Sequence, residues 1–362
     1  MKRHIRISRW LKGAITLASV AVLTALAAAP ARSGQSAPKP LFATDATLKL
    51  RIEAPFADLI RAAPHSTNAF DAKLMVTGPA AETLAIKLSP RGISRRTTEA
   101  CEFPPLKIEF TEKPGAASLF KGQKSLKLAT HCRNDFNYQD YGLLEFLAYR
   151  LHNVLTPLSF RVRLAEIDYV ETGSSSVRIH RHGFLVEDVD ELAERNNLHD
   201  VKVEKIDRGM LNGDATARSD LFQYLIGNQD WSDVMGAAGT NCCHNIKLLA
   251  AGKDSRTDLM PLAYDFDSSG LVNPPYALPP ASVPIRNVRT RYYRGYCQFN
   301  AQVTAAAQEA LAKRNELMAA IDATPDLTSR GKSSARQYLE AFFGDISDPA
   351  RLQQQIIGRC RN

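Results

Sequence analysis

The sequence predicts an α+β fold of two lobes, a β-rich lobe with one helix over residues 47–190 and a mainly helical lobe over 191–362. Apolar and polar residues alternate with a period of two from Thr47 to about Leu128, as in half-buried strands. A segment with helical spacing follows at 141–155. The second half is dominated by helical spacing, and strands followed by helices are typical of α+β proteins.

The β-rich lobe contains five alternating segments that are separated by Gly and Pro turns. Residues 141–155 then predict an amphipathic helix, which Pro157 ends. Two further strands are expected in SFRVRLAEIDYV and HGFLVEDV. The five alternating segments are LKLRIEA, FDAKLMVTG, LAIKLSP, LKIEF and SLKLAT.

The helical lobe begins with a predicted helix over 217–226, which is followed by a polar loop over 227–245. Two short strands, IKLLAAG and LMPLAYDF, are expected next, around a polar turn. Helical spacing then predicts helices over 301–323, 331–343 and 349–357.

The N-terminus has the pattern of a secretory signal peptide over residues 1–33. Five basic residues precede an apolar run of about 16 residues, and small residues lead to Ser33. That run is short for a membrane-spanning helix, which needs roughly 20 residues. We therefore expect a periplasmic or secreted protein with no membrane span after cleavage, and a flexible leader over residues 34–46.

The basic excess of the chain belongs mostly to this N-terminus. The chain carries 46 basic and 38 acidic residues, and residues 1–33 contain six basic residues and no acidic one. The remainder therefore has 40 basic and 38 acidic residues. Because nucleic-acid-binding proteins usually have a clear basic excess, we expect no nucleic-acid partner.

Six cysteines in an exported chain predict disulfides rather than a zinc site. Cys101 and Cys132 flank the strands LKIEF and SLKLAT, so we expect them to be paired. Cys242 and Cys243 are adjacent, and we expect each to bond elsewhere rather than to the other.

The residues with the clearest chemical pattern lie in 221–270. Asp230 follows a predicted helix, Asn245 begins a strand, and Asp265 and Asp267 follow the next strand. Phosphoryl transfer needs an Asp near the acceptor hydroxyl and oxygen ligands for Mg²⁺. We therefore expect Asp230 to be catalytic and Asn245, Asp265 and Asp267 to bind the metal. The alternative is that these residues serve turns and helix caps.

Several further segments resemble the CotH-type kinase-like family through a group of exported bacterial proteins. The resemblance covers roughly residues 85–300, and its link to characterised kinases depends mainly on Asp230, Asn245 and Asp265. Fourteen residues separate Asp230 from Asn245 where protein kinases have four, so either the loop has an insertion or Asn228 or Asn241 binds the metal. The segments are PRGIS at 90–94, FPPLKIEF at 103–110, FKGQKSLKLATHC at 120–132, LLEFLAYRLHNVLTPLSFRVRLAEI at 143–167, GFLVEDVDELAERN at 183–196, IGNQDW at 226–231, HNIKLL at 244–249, YDFDSSGLV at 264–272 and YRGYC at 293–297.

The resemblance implies a two-lobed protein-kinase-like fold that uses ATP and Mg²⁺ to modify an exported protein or an envelope molecule. It implies a nucleotide site in which Lys127 contacts phosphates and Glu145 pairs with Lys127, with Lys107 and Lys124 as rivals for the lysine. Arg91 is expected near the phosphates, and Glu187 near the adenine edge. Each of these residues also has an ordinary structural interpretation, as a surface turn or a helix start.

Two other possibilities stay open. His180, Arg181 and His182 could contribute to a metal site, although histidines two apart on a strand are usually surface residues. The protein could also be a catalytically inactive scaffold of the same fold that binds an envelope partner or glycan. An Arg- and Tyr-rich stretch could then recognise an acidic ligand; its residues are Tyr276, Arg286, Arg289, Arg291, Tyr292, Tyr293, Arg294 and Tyr296.

Overall fold

A computed structural model describes Met1 and residues 39–78, 81–174, 176–236 and 240–362. The predicted signal peptide lies outside the described residues apart from Met1. The predicted leader is described from Lys39 onward, and there Leu41 and Phe42 are buried. The Arg163 guanidinium donates hydrogen bonds to the carbonyl oxygens of Leu41 at 3.0 Å, of Thr44 at 2.6 Å and of Ala46. This part of the leader therefore packs against the strand that carries Arg163.

Seven strands form a closed barrel in the order β1-β2-β3-β4-β5-β7-β6. Neighbouring strands are antiparallel except at the closure, where β1 runs parallel to β6 with Leu48 opposite Ala165. The strands are β1 (Leu48–Ala54), β2 (Phe70–Val76), β3 (Glu82–Pro90), β4 (Leu106–Phe110), β5 (Ser125–Ala129), β6 (Val162–Glu171) and β7 (Val177–Val186).

The prediction of a two-lobed, protein-kinase-like fold with a helical C-lobe is wrong. The strands form a closed mixed barrel, a second small sheet lies in the other half, and the described residues from Lys39 onward belong to one compact unit. The difference arises at β1 and β6, which are more than 100 residues apart. Periodicity identifies each strand but carries no information about which distant strand it pairs with.

The barrel interior is filled by alternate residues of its strands, because successive side chains of a strand point to opposite faces. In β1, Leu48, Leu50, Ile52 and Ala54 are buried, and the residues between them are more exposed. Tyr169 of β6 is fully buried in the same core.

The outer face of the β6–β7 ribbon is covered by helix α2 (Asn137–Leu155), which was predicted to begin at residue 141. Phe146 and Tyr149 of this helix contact Phe184 of β7 with ring centroids 5.9 and 5.6 Å apart. Phe184 belongs to a second apolar core, which the helices share. The helix thereby also holds Glu145 beside the barrel.

The remaining elements include a three-stranded sheet in the order β10-β9-β8, whose strands are β8 (His199–Val201), β9 (Ile246–Ala250) and β10 (Met260–Ala263). Among the helices in the described ranges, none is long and apolar enough to cross a membrane. Besides α2 the helices are α1 (Phe56–Ala62), α3 (Val189–Arg195), α4 (Gly213–Ile226), α5 (Asn300–Ala312), α6 (Arg314–Asp322), α7 (Ser329–Ser347) and α8 (Pro349–Gln355).

The six cysteines form three disulfides. The predicted pairing of Cys101 with Cys132 is confirmed. The expectation that Cys242 and Cys243 bond elsewhere is wrong, since they are bonded to each other. Cys297 pairs with Cys360 near the C-terminus.

Candidate active site

The site is organised by the β9–β10 hairpin, which places Asn245 and Asp265 at the same end. Ile246 lies opposite Ala263 in the register, and the Tyr264 N–H donates to the Asn245 carbonyl oxygen at 3.1 Å. Asn245 immediately precedes β9, and Asp265 follows β10 by one residue. Both have positive φ, 52° and 64°. Because left-handed backbone is uncommon for residues other than glycine, this end of the hairpin is a specialised turn.

Asp265 is fixed from the side of the barrel by helix α2. Its backbone N–H donates to the hydroxyl oxygen of Tyr149, at 3.0 Å. Tyr149 is buried, and its ring also contacts Phe266, with centroids 4.5 Å apart. The position of Asp265 is therefore set by contacts to an element more than 100 residues away.

Asp230 lies beside Asn245 despite the fourteen residues between them. The loop folds back on itself, since the Ser232 N–H donates to the His244 carbonyl oxygen at 2.9 Å. The Asn245 side-chain amide then donates to the Asp230 backbone carbonyl at 2.8 Å and to its carboxylate at 3.2 Å. The rival Asn228 is buried and accepts the Asp230 N–H through its side chain at 3.0 Å, which makes it a support for the loop.

His244 is a member of this group that sequence reasoning missed. Its Nε2 lies 2.7 Å from an Asp230 carboxylate oxygen, and both side chains are 44 % exposed. This hydrogen bond raises the pKa of His244, which favours the protonated ring. Its signals in the sequence are its position directly before Asn245 and its place at the start of the HNIKLL segment.

Three carboxylates surround one guanidinium, that of Arg95. Its nitrogens lie 3.3 Å from Glu145, 3.5 Å from Asp265 and 3.3 Å from Asp267. The pKa of Glu145 is raised to about 8, because burial and, to a lesser degree, the charges of Asp267 and Asp265 outweigh the opposing effect of Arg95. Asp267 also accepts a hydrogen bond from the Tyr276 hydroxyl at 3.0 Å. Arg95, which sequence reasoning missed, directly follows the PRGIS segment.

Lys127 lines a narrow cleft next to this cluster, with a free volume of about 20 Å³, as do Arg91, Arg95, Glu145 and Asp265. The pKa of Lys127 is lowered to about 8, mainly by burial and in addition by the charges of Arg91 and Lys247. Its ammonium lies 5.6 Å from the ring centroid of Tyr264. The other walls of the cleft are apolar or aromatic and include Ala129, Phe160, Phe184 and Val186.

One predicted contact of the nucleotide site, the pairing of Glu145 with Lys127, is not found. The carboxylate of Glu145 pairs with Arg95, and among the described residues no ion pair joins it to Lys127. Glu187 is buried, and both of its carboxylate oxygens accept hydrogen bonds from Arg195, at 2.9 and 3.0 Å. Glu187 is thus part of the packing of α3. Lys107, a rival of Lys127, pairs with Glu109 at 2.7 Å.

The structure thus brings together Asp230, Asn245, Asp265, Asp267 and Glu145, with Lys127 and Arg91 on the adjoining cleft. The arrangement combines oxygen ligands for a hard cation with two cationic side chains and an aromatic wall. No protein-family model matches the chain, and no curated protein is detectably similar to it.

Proposed function

We propose that the cleft binds a nucleotide with Mg²⁺ and transfers a phosphoryl group to an exported protein or an envelope molecule. The observation that carries this proposal is the end of the β9–β10 hairpin, where Asn245 and Asp265 are adjacent, Asp230 bonds to Asn245, and Lys127 faces Asp265 across the cleft. Phosphoryl transfer depends mainly on positioning and on charge, and this group supplies both.

The donor set fits a hard cation. One oxygen of Asp265 lies 3.5 Å from Arg95, and the side chain is 38 % exposed, so the carboxylate is accessible from the cleft. Asn245 donates through its amide nitrogen, which leaves its carbonyl oxygen as a ligand. Asp267 would add a carboxylate to the metal site from its buried side. When bound, Mg²⁺ would neutralise phosphate charge.

Lys127 and Arg91 are suited to hold the phosphates of the nucleotide. The pKa of Lys127, lowered to about 8, leaves the ammonium charged near neutral pH, and partial burial strengthens its attraction for an anion. Arg91 can bind phosphate oxygens through two parallel hydrogen bonds. The partly exposed ring of Tyr264 provides aromatic surface for a base, and Phe160 packs behind it as a buried wall.

Asp230 is suited to orient the acceptor hydroxyl. The hydroxyl oxygen would attack the terminal phosphorus, the bond from that phosphorus to the nucleoside diphosphate would break, and the hydroxyl proton would pass to the Asp230 carboxylate. His244 and Asn245 both bond to that carboxylate and fix its direction.

The proposed location is the periplasm or the exterior of the cell. Three disulfides support an oxidising compartment, and the N-terminal sequence supports export. Because ATP is scarce there, the binding experiment below includes several nucleotides.

A second candidate function, a binding protein without catalysis, is favoured by Arg95. Its buried guanidinium already provides the counter-charge for Glu145, Asp265 and Asp267. A cluster partly neutralised in this way has less need of a metal ion than three unpaired carboxylates would have. In this alternative the cleft would recognise an acidic group of an envelope partner through Lys127 and Arg91.

The test is thermal unfolding of the purified, oxidised protein with ATP, GTP or UTP, each with and without Mg²⁺. We expect one nucleotide with Mg²⁺ to raise the unfolding temperature by a few degrees, as binding at about 100 times Kd stabilises by about 2.7 kcal/mol. Asp265→Ala should abolish the shift. Asp254→Ala, at an exposed position in the turn of the same hairpin, should keep it.

Transfer is tested separately with labelled nucleotide and an envelope extract. Asp230→Asn should retain the Mg²⁺-dependent shift and lose incorporation of label. A shift with no incorporation by the unaltered protein would favour the binding protein, and no shift with any nucleotide would sink the proposed chemistry.

A further inference from the structure

The outer face of the β6–β7 ribbon is apolar at one end and carries ionisable side chains at the other. Val162 and Leu164 of β6 and Phe184 and Val186 of β7 belong to the apolar core that includes helix α2. Further along the same face, outward positions carry carboxylates on β6 and histidines on β7, because alternate residues of a strand share a face. In the register Glu166 lies opposite His182.

The loop between α6 and α7 adds a third group at this point. Asp326 of that loop places a carboxylate oxygen 3.1 Å from His182 Nε2. One ligand atom from each of Glu166, His182 and Asp326 lies within 4.8 Å of the others. The three residues come from two strands of the barrel and from the helical half of the chain.

The hydrogen bonding of this group is incomplete. The Nε2 atom of His182 is buried and makes no hydrogen bond among the described residues, although the Asp326 carboxylate is close. The backbone of Glu166 belongs to the β6–β7 ladder, whereas its carboxylate makes no hydrogen bond or ion pair with any residue in the described ranges. A buried ring nitrogen that faces carboxylates without bonding to them is an available ligand.

We propose that Glu166, His182 and Asp326 form a binding site for a divalent transition metal, with Zn²⁺ as the best match. Zn²⁺ takes nitrogen and oxygen ligands at about 2.0–2.2 Å, which places neighbouring ligands of a tetrahedral ion about 3.4 Å apart. His182 and Asp326 already have nearly this spacing. Glu166 has a carboxylate oxygen within 4.8 Å of the other two ligand atoms, so its side chain would move inward to complete the site.

Exposure suits entry of an ion from solvent. The His182 side chain is 11 % exposed, whereas that of Asp326 is 57 % exposed. An ion would therefore meet the exposed Asp326 carboxylate first and then bind the buried nitrogen of His182. A fourth coordination position of the ion would stay open to water. The bound ion would join the β6–β7 ribbon to the α6–α7 loop. This site is separate from the proposed nucleotide cleft, and either proposal can fail alone.

The chain offers a matched control on the same face of the ribbon. His180 lies opposite Asp168, with its Nδ1 2.6 Å from the carboxylate. This pair has the same residue types but no third ligand group among the described residues. Its side chains are 60 % and 35 % exposed. A response of His182 that His180 does not share would therefore identify the three-residue site.

The experiment is calorimetric titration of Zn²⁺ into the purified, metal-free protein. The six cysteines are all paired, so no thiolate competes for the ion. We expect one Zn²⁺ per chain. His182→Ala and Glu166→Gln should each weaken Zn²⁺ binding at least about tenfold. Loss of a residue that only supports a metal ligand already costs about this much, and loss of a ligand should cost no less. His180→Ala should change it by no more than about twofold.

Two isosteric variants protect the test against failure of His182→Ala to fold. Asp326→Asn and Glu166→Gln keep the shape of the side chains and weaken their ability to bind metal, so both should lower the affinity. Asp265→Ala should leave the Zn²⁺ affinity unchanged, which separates this site from the cleft. The proposal is overturned if the unaltered protein binds no Zn²⁺, if both isosteric variants bind normally, or if His180→Ala weakens binding as much as His182→Ala.

Discussion

At Lys127, a buried positive charge that suits anion binding in the cleft lowers the stability of the folded protein. Its ammonium is largely buried beside the charges of Arg91 and Lys247, and burial is the main reason that its pKa falls to about 8. The unfolded chain would hold the proton up to a pKa near 10.5. Between these values the unfolded state binds more protons than the folded state, so stability rises with pH.

The corresponding prediction concerns Lys127→Met. This variant should be more stable than the unaltered protein at pH 7, by up to about 3 kcal/mol, because a shift of one pKa unit corresponds to about 1.4 kcal/mol. It should also lack the rise in stability between pH 8 and 10.5. Urea unfolding at several pH values measures both effects. Lys107→Met, opposite Lys127 in the sheet, is the control and should keep the rise. A less stable Lys127→Met protein at pH 7 would contradict the argument.

Single residues also show how far sequence reasoning extends. The order of Asp230, Asn245 and Asp265 around two short strands led to the expectation of one site, and the hairpin register explains why they lie together. The partner of Glu145 could not be found in this way. Arg95 reaches it from a short 3-10 turn after β3, and only the packing of α2 against the barrel decides that Arg95 and not Lys127 is in contact.

At the scale of the element, helix α4 and the loop after it are joined by two buried carboxyl groups. Asp220 of the helix and Asp233 of the loop are both at most 1 % exposed, and their oxygens receive no hydrogen bond from another described residue. Burial raises the pKa of Asp233 to about 6, and burial together with the charge of Asp233 raises that of Asp220 well above its usual value. One carboxyl must therefore hold a proton to bond to the other.

This shared proton predicts a loss of stability as the pH rises. A carboxyl whose pKa is raised on folding binds more protons in the folded state, so its contribution is present at low pH and is lost from about pH 4 through 6 and above. Asp220→Asn replaces the proton with a permanent amide donor. The variant should be more stable at pH 8, by about 1 kcal/mol, and should lose less stability between pH 5 and 8.

Urea unfolding across this range, with hydrogen exchange in the loop over 227–236, measures the effect. Asp214→Asn, at an exposed position on the same helix, should leave the pH profile unchanged. An Asp220→Asn protein that is destabilised at pH 8 would show that the buried pair is held by its charges, through Arg294 and Arg361, and not by a shared proton.

The ends of helices could be predicted where a local sequence signal, such as a capping glycine, determines them. Helix α4 ends as expected at Ile226, where Gly227 has a left-handed φ of 65° and a Cβ would lie 2.0 Å from the Tyr338 hydroxyl. The single helix expected over 301–323 is instead two helices. Between them, Lys313 directs its ammonium to the carbonyl oxygens of Val154 and Leu155 at the end of α2, at 2.8 and 3.0 Å. Such a tertiary contact leaves no periodic signal.

At the scale of the whole molecule, closure of the barrel was the feature that the sequence did not indicate. The first five strands were expected close to their observed positions, and neighbours in sequence pair as hairpins are expected to. The parallel pairing of β1 with β6 joins segments that α2 and four strands separate. Because strand pairing depends on the path of the intervening chain, it could not be inferred from periodicity.

The last prediction concerns the Cys297–Cys360 disulfide, which ties the C-terminus to the loop that carries Tyr296 and thereby to the candidate site. Arg361, next to Cys360, lies 4.6 Å from the ring of Tyr296 and 5.9 Å from that of Trp231, the neighbour of Asp230. The bridge spans 63 residues, and closing a loop of this length stabilises a protein by about 4 kcal/mol in the chain-entropy account. The double variant Cys297→Ala, Cys360→Ala should lose up to this amount of unfolding free energy in urea and should show faster hydrogen exchange around Trp231.

The matched control is Cys242→Ala, Cys243→Ala, whose bridge closes no intervening loop and should contribute far less of this entropy. Equal losses in the two double variants would mean that the stabilisation comes from local contacts of the cysteines and not from the tie between the C-terminus and the site.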